Sequence, residues 1–192
     1  MADPAYIVDG VLTDGEAWVG IATTTLSVDT AVVTFTSTDD GQVGDWSQYM
    51  DLVAVIYARS THGSADRSIT NSLNNATGNP YEVQWLYGDG SSAAASLNTG
   101  SATMIIGRTT SAAAAANVFG AMTVHYFDIN SGKYKSVISQ YAADTDGSGN
   151  VGLNAGTWEN QSAITEIDYS TSSNFLAGST FSLFGILPRM VA

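Results

Sequence analysis

From residue 17 to residue 186 the chain never sustains a helical pattern. Instead, short runs of β-branched and aromatic residues alternate with turn-forming residues. Residues 17–28 and 30–37 form two such runs, joined through Ser27, Val28, Asp29 and Thr30. Thr38-Asp39-Asp40-Gly41 reads as a turn, and LVAVIY at 52–57 reads as a strand covered on both sides. Further strands are expected at 69–74, 82–87, 104–107, 119–130 and 134–141, the last two around the Ser131-Gly132 turn. Residues 88–103, rich in Gly, Ser and Ala, read as a loop. The five alanines within 111–117 favour helix locally but are too few to hold one, so a loop or single turn is expected. Near the end, 163–169 has strand composition, 170–173 is a polar turn, and Ala177-Gly178-Ser179 is a second turn. From Thr180 the pattern alternates again, with Phe181 and Leu183 on one face and Thr180, Ser182 and Phe184 on the other.

About nine to ten short strands without an amphipathic helix predict an all-β fold, an antiparallel β-sandwich of jelly-roll type. The 192 residues suit one domain over 16–192, preceded by an arm over 1–15 that Pro4, Asp9-Gly10 and Asp14-Gly15 punctuate. Four Trp, nine Tyr and six Phe can fill a sandwich core, including Phe181, Leu183, Phe184 and Ile186 of the closing strand.

Charge and composition narrow the function. Six basic residues (Arg59, Arg67, Arg108, Lys133, Lys135, Arg189) stand against eighteen acidic ones, a net charge of −12. Such a surface repels nucleic-acid phosphates and offers no basic stripe to release counterions. Cysteine is absent, which removes disulfides, thiolate nucleophiles and Cys-based zinc sites. The opening MADPAYIVDG has neither the basic region nor the apolar core of a signal peptide, and no apolar run reaches the roughly 20 residues of a membrane span. A soluble protein is expected.

The strongest chemical motif is DTDGSGN at 144–150. Asp144, Asp146, Ser148 and Asn150 place oxygen ligands at alternate positions around a glycine-rich turn, as the start of an EF-hand calcium loop does. The twelfth position is Ala155 in place of the bidentate Glu, and no helices flank the loop, so a plain hairpin turn is the weightier reading and calcium the lesser. His62 and His125 sit in no metal or catalytic spacing. Glu82, Glu159, Glu166 and Asp168 are the carboxylates from which a glycosidase pair would be drawn, but sheet-surface solvation accounts for them without chemistry. Trp18, Trp46, Trp85 and Trp158 lie in or beside strands, where core packing outweighs a sugar-stacking platform. Gly88-Asp89-Gly90 lacks the lysine of a phosphate loop.

Several segments together carry a resemblance. Trp46 and Tyr49 lead into a strand bearing Arg59, followed by NNATGNPY at 74–81, then the strand at 122–129 and a hairpin bearing Lys135. Trp158, Ile164 and the closing NFLAGSTFSLFGI at 174–186 finish the series. In this order they resemble a group of tailed-phage virion proteins of β-sandwich fold, which end in a strand of the GSxFSLYGI type. Phe184 stands where that group more often has Tyr, and the alanines at 111–117 have no counterpart. The resemblance implies a non-enzymatic structural protein of the virion, assembled in the bacterial cytoplasm and decorating or cementing the capsid exterior. Its implied partners are the major capsid protein or other virion proteins, with further copies of itself in a homo-oligomer such as a trimer; neither nucleic acid nor membrane is expected. A tail or fibre module binding a host glycan is the alternative.

Overall fold

The computed structural model describes residues 17–145 and 147–187, together with the backbone of 7–8 and 11–12. Apart from the antiparallel pair β1 (Ile7–Val8) and β2 (Val11–Leu12), the arm expected over 1–15 lies outside the described residues.

Twelve further strands make two antiparallel sheets packed as a sandwich. They are β3 (Trp18–Thr25), β4 (Thr30–Thr36), β5 (Asp51–Ala58), β6 (Asp66–Leu73), β7 (Tyr81–Gly88) and β8 (Ala93–Ser101). After them come β9 (Met104–Thr110), β10 (Gly120–Tyr126), β11 (Lys135–Asp144), β12 (Gly149–Trp158), β13 (Glu166–Phe175) and β14 (Thr180–Ile186). One sheet runs β3-β14-β5-β10-β11-β12-β7-β8 and the other β4-β13-β6-β9.

The pairing is nested. β3 with β14, β4 with β13, β5 with β10, β6 with β9 and β7 with β8 are the rungs of one long antiparallel ribbon. Successive rungs fall in alternate sheets, which is how a ribbon rolls into a jelly roll. The β11–β12 hairpin is inserted between β10 and β7, widening one sheet to eight strands against four.

Two of the extra strands lie where the sequence reading assigns none. β8 occupies most of 88–103, and β12 (GNVGLNAGTW) follows the 144–150 turn directly; small residues and glycines hide the strand signal in both. β13 likewise runs through the expected turn at 170–173, with an irregular register between Ser170 and Phe175. β5 is covered on both sides only in its first half: Leu52, Ala54, Ile56 and Ala58 face the core and Val53 on the other pleat is also buried, while Val55 and Tyr57 face outward and are exposed. Phe181 and Leu183 are core residues as expected, but Phe184 and Ile186 alternate onto the outer face and are half-buried.

The residues behind the resemblance have structural work. Trp46 and Trp158 are buried, and the Tyr49 ring lies over Gly185, where a Cβ would fall 2.4 Å from it. Asn74 and Asn75 adopt the left-handed conformation, and the Asn74 side chain accepts from the Thr165 and Glu166 N–H groups while donating to Ala163 O. The Tyr81 hydroxyl accepts from Leu73 N at 2.7 Å. Lys135 is buried and donates its ammonium to the carbonyls of Ser131, Lys133 and Gln161, and burial pulls its pKa down. Between the sheets, Asn71 donates to the Tyr126 hydroxyl, which donates to the Tyr169 hydroxyl; burial pushes both phenols up.

Arg59 explains the alanine stretch. Its guanidinium is buried and donates to the carbonyls of Ala112, Ala114, Ala115 and Val118, so the 111–118 loop wraps the cation with backbone oxygens. Alanine suits this loop because no side chain competes for the space around the guanidinium. The five alanines therefore form neither helix nor strand.

Two outcomes follow from these contacts. Arg59→Ala strands several carbonyls and is expected to cost about 3 kcal/mol in urea unfolding. Arg59→Lys should recover little of it, because one ammonium cannot reach four carbonyls. Asp45 caps the short 3-10 turn at Trp46–Gln48, and hydrogen bonds from the Ser47 hydroxyl and N–H and from Gly41 N hold its carboxyl below the usual 3.8. A depressed carboxyl stabilises the fold at neutral pH and loses that contribution as pH falls through the lowered value. Asp45→Ala should therefore cost about 1 kcal/mol at pH 7, a difference that shrinks in strongly acidic solution.

Candidate functional site

The residues singled out for chemistry do not gather. The 144–150 segment is the β11–β12 hairpin, closed by Thr145 N donating to Ser148 O at 2.9 Å and by a 2.7 Å contact between the two hydroxyls. Asp144 pairs with Gly149 and is exposed, whereas Asn150 pairs with the buried Ala143 on the opposite pleat and donates to Asp66 at 2.6 Å. Asp146 lies outside the described residues. Among the described residues no three His, Asp or Glu side chains form a metal cluster.

The histidines are similarly occupied. His62 Nδ1 accepts from Ser64 N, which ties its own loop. His125 stacks on Phe127 with ring centroids 3.8 Å apart, and its Nε2 lies 2.8 Å from Asp51, whose other oxygen accepts from Asp128 N. Glu166 and Asp168 do share one face of β13, but Thr34, Thr36, Ser72 and Asn75 donate to them across a flat sheet surface. Glu82 accepts from Gly100 N at 2.8 Å. Asp89 closes the β7–β8 turn: the N–H groups and hydroxyls of Ser91 and Ser92 point at its carboxylate and hold it far below the usual range. Of the tryptophans, Trp46 and Trp158 are core, Trp18 is half-exposed beside Phe184, and Trp85 is partly buried at the rim of the sandwich.

What the tertiary structure does assemble is a face. The register across the eight-stranded sheet aligns outward side chains in cross-strand rows. One row reads Thr25, Thr180, Tyr57, Ala121, Ala142, Val151, Gly88, Ala93. The next reads Thr23, Ser182, Val55, Thr123, Gln140, Leu153, Leu86, Ala95, and the third Gly20, Phe184, Val53, His125, Ile138, Ala155, Gln84, Leu97. None of these positions is Asp, Glu, Lys or Arg, in a chain carrying 24 such residues.

Seven of the thirteen exposed large apolar side chains among the described residues lie on this face: Val55, Tyr57, Leu86, Leu97, Ile138, Val151 and Leu153. Val151, at 62% exposure, and Leu97, at 61%, are the most open large apolar strand residues among those described. The opposite surface, the outside of the small sheet, carries Glu166 and Asp168 instead. A contiguous uncharged apolar patch of this extent is the kind of surface that marks an interaction site.

The sequence reading misses this face because β8 is read as a loop and 151–157, the body of β12, is assigned no strand. The signal present was the alternation of Val151, Leu153 and Ala155, and of Ala95 and Leu97, within glycine- and asparagine-rich stretches.

No family model and no curated protein matches this chain.

The hairpin geometry of 144–150 leads to a simple expectation. Chelation with EDTA should leave the melting temperature within about 1 °C, as linkage requires when no bound ion contributes to the folded state. A rise of several degrees on adding calcium, reversed by EDTA, would place an ion in that loop.

Proposed function

We propose that this chain is a non-enzymatic structural protein of a tailed-phage virion that decorates or cements the exterior of the capsid. The observation that carries the reading is the block of three uncharged cross-strand rows on the outer face of the eight-stranded sheet, bordered by Asp51, Glu82 and Asp144, in a chain of net charge −12. The order of Trp46, Tyr49, Arg59, the 74–81 turn, Lys135, Trp158 and the closing strand, similar to phage virion sandwiches, points the same way.

The size of the face suits docking. Eight strands about 4.8 Å apart and three rows about 6.8 Å apart cover roughly 700 Å², close to one partner's share of a standard interface. Its content also suits docking: apolar side chains whose burial is favourable, interspersed with Thr, Ser and Gln that pair with backbone or water. The partner is the major capsid protein or another virion protein, with copies of this chain arranged by the symmetry of the particle. Weak contacts repeated over many symmetric copies add through multivalency. The remaining acidic surface keeps particles apart in solution.

The test mixes the purified chain with capsids lacking decoration. The native chain should sediment with them saturably. Leu153→Asp, which would bury an unpaired carboxylate in the interface, should weaken binding at least about tenfold. Its melting temperature should stay within about 1 °C of the native value, because Leu153 is solvent-facing. Absence of saturable binding by the native chain would sink this reading.

A further inference from the structure

The eight-stranded sheet extends past its four-stranded partner, and the inner surface of β8 with the Trp85–Tyr87 end of β7 forms one wall of a cleft. The other wall is β9, the last strand of the small sheet, with Ser68 of β6 beside it. The cleft holds about 440 Å³, within the range of small-ligand sites. We propose that this cleft binds a neutral hexopyranoside, its ring stacked on Trp85 and its hydroxyls met by Arg108, Ser68 and Ser96.

Four observations select that chemistry. Trp85 and Tyr87 alternate onto the same inner face of β7, about 6.8 Å apart along the strand, and both are only partly buried. Two aromatic rings at that spacing offer a platform for the C–H face of a sugar ring and its neighbour.

Second, Asn154 lines the cleft and is 3% exposed; its Nδ2 donates to Ile105 O at 2.8 Å, which fixes the side chain. Its Oδ1 has no hydrogen-bond partner among the described residues. That oxygen is closed to solvent, so Asn154 serves as a fixed polar residue of the cleft floor and the ligand's hydroxyls meet its more open neighbours.

Third, Arg108 lines the cleft with its side chain 40% exposed, and its Nη1 is held by Asp66 at 2.7 Å. The remaining guanidinium donors and the Ser68 and Ser96 hydroxyls match the hydroxyl-rich edge of a sugar. Because Asp66 already neutralises Arg108 in a chain of net charge −12, acidic sugars and phosphates are disfavoured.

Fourth, a peptide strand added at β9 fits poorly. The edge carbonyls of Ile105 and Ile106 are already taken by the side chains of Asn154 and Ser139.

The inference does not rest on the virion reading. The cleft and the uncharged face lie on opposite sides of the same strands, β7 and β8. A copy laid on a particle by its outer face would therefore turn the cleft away from the particle.

The test uses the full chain and the indole N–H resonances of its four tryptophans, with Trp85→Phe identifying the Trp85 signal. The probes are methyl glucoside, methyl galactoside, methyl mannoside and N-acetylglucosamine, each titrated to about 50 mM, a range that captures affinities weaker than −4 kcal/mol. The expected result is a saturable shift of the Trp85 signal with at least one probe, while the signals of buried Trp46 and Trp158 stay in place. Arg108→Gln should weaken that response about tenfold, and Trp85→Ala should abolish saturation-transfer to the same sugar. Should Trp85→Ala fail to fold, Arg108→Gln decides alone. The proposal is overturned if no probe moves the Trp85 signal, if the shift is linear and unsaturated, or if Arg108→Gln leaves it unchanged. A stronger response to glucuronate than to the neutral sugars would overturn the ligand class. Capsid binding by the native chain is read separately, so loss of one activity leaves the other standing.

Discussion

The fold depends on where the last strand goes. β14 lies between β3 and β5, and among the described residues it is the only ladder partner of β3. Likewise β13 is the only ladder partner of β4 among the described residues. The first two strands of the sandwich are therefore held by the last two, and every rung of the ribbon lies inside that closure. Phe181 and Leu183 of β14 are fully buried, and Phe181 packs against both Phe175 and Tyr169, so closure also completes the core. Pairings this distant in sequence carry a loop-closure cost, which the apolar burial of the final strands must offset.

The second organising fact is the mismatch of eight strands against four. Inserting β11 and β12 widens one sheet without widening the other. The extra width gives the outer surface its uncharged extent and leaves the inner surface of β8 and the Trp85–Tyr87 end of β7 uncovered at the rim. Where β9 does cross β10, β11 and β12, glycines let the sheets approach. A Cβ on Gly107 would meet Met122 and Tyr141, and one on Gly156 would meet Met104 at 2.3 Å. The close centre and the open rim are thus two results of one topology.

Much of the fold was legible because period-two alternation is a local property. β3, β4, β7, β10 and β14 stand close to where the residue pattern puts them. β8 and β12 were hidden because Ala, Gly, Ser and Asn have low strand propensity, and only their neighbours in the sheet hold them extended. The opposite error occurred at LVAVIY in β5, whose continuous apolar run suggests two covered faces. Val55 and Tyr57 instead face outward beside Thr123 and Ala121, so the second half of the run marks an exposed apolar surface. Val55 and Tyr57 of the outer face and Trp85 of the cleft could be named from the chain as strand residues, but which residues share a surface could not.

By itself the sequence determined an all-β sandwich: its alternation, its turn residues and its lack of a helical period leave few other ways to build a core from a chain with nineteen aromatic residues. It also determined the acidic balance, which holds whatever the fold. Only the tertiary structure decided which strands became neighbours, because register depends on pairings between residues as far apart as Trp18 and Ile186. That register gathers Val55, Ile138, Leu153 and Leu97 into one uncharged face and leaves Trp85 beside Asn154 in the open rim. Both surfaces are sums over distant strands, and no local pattern encodes a sum of that kind.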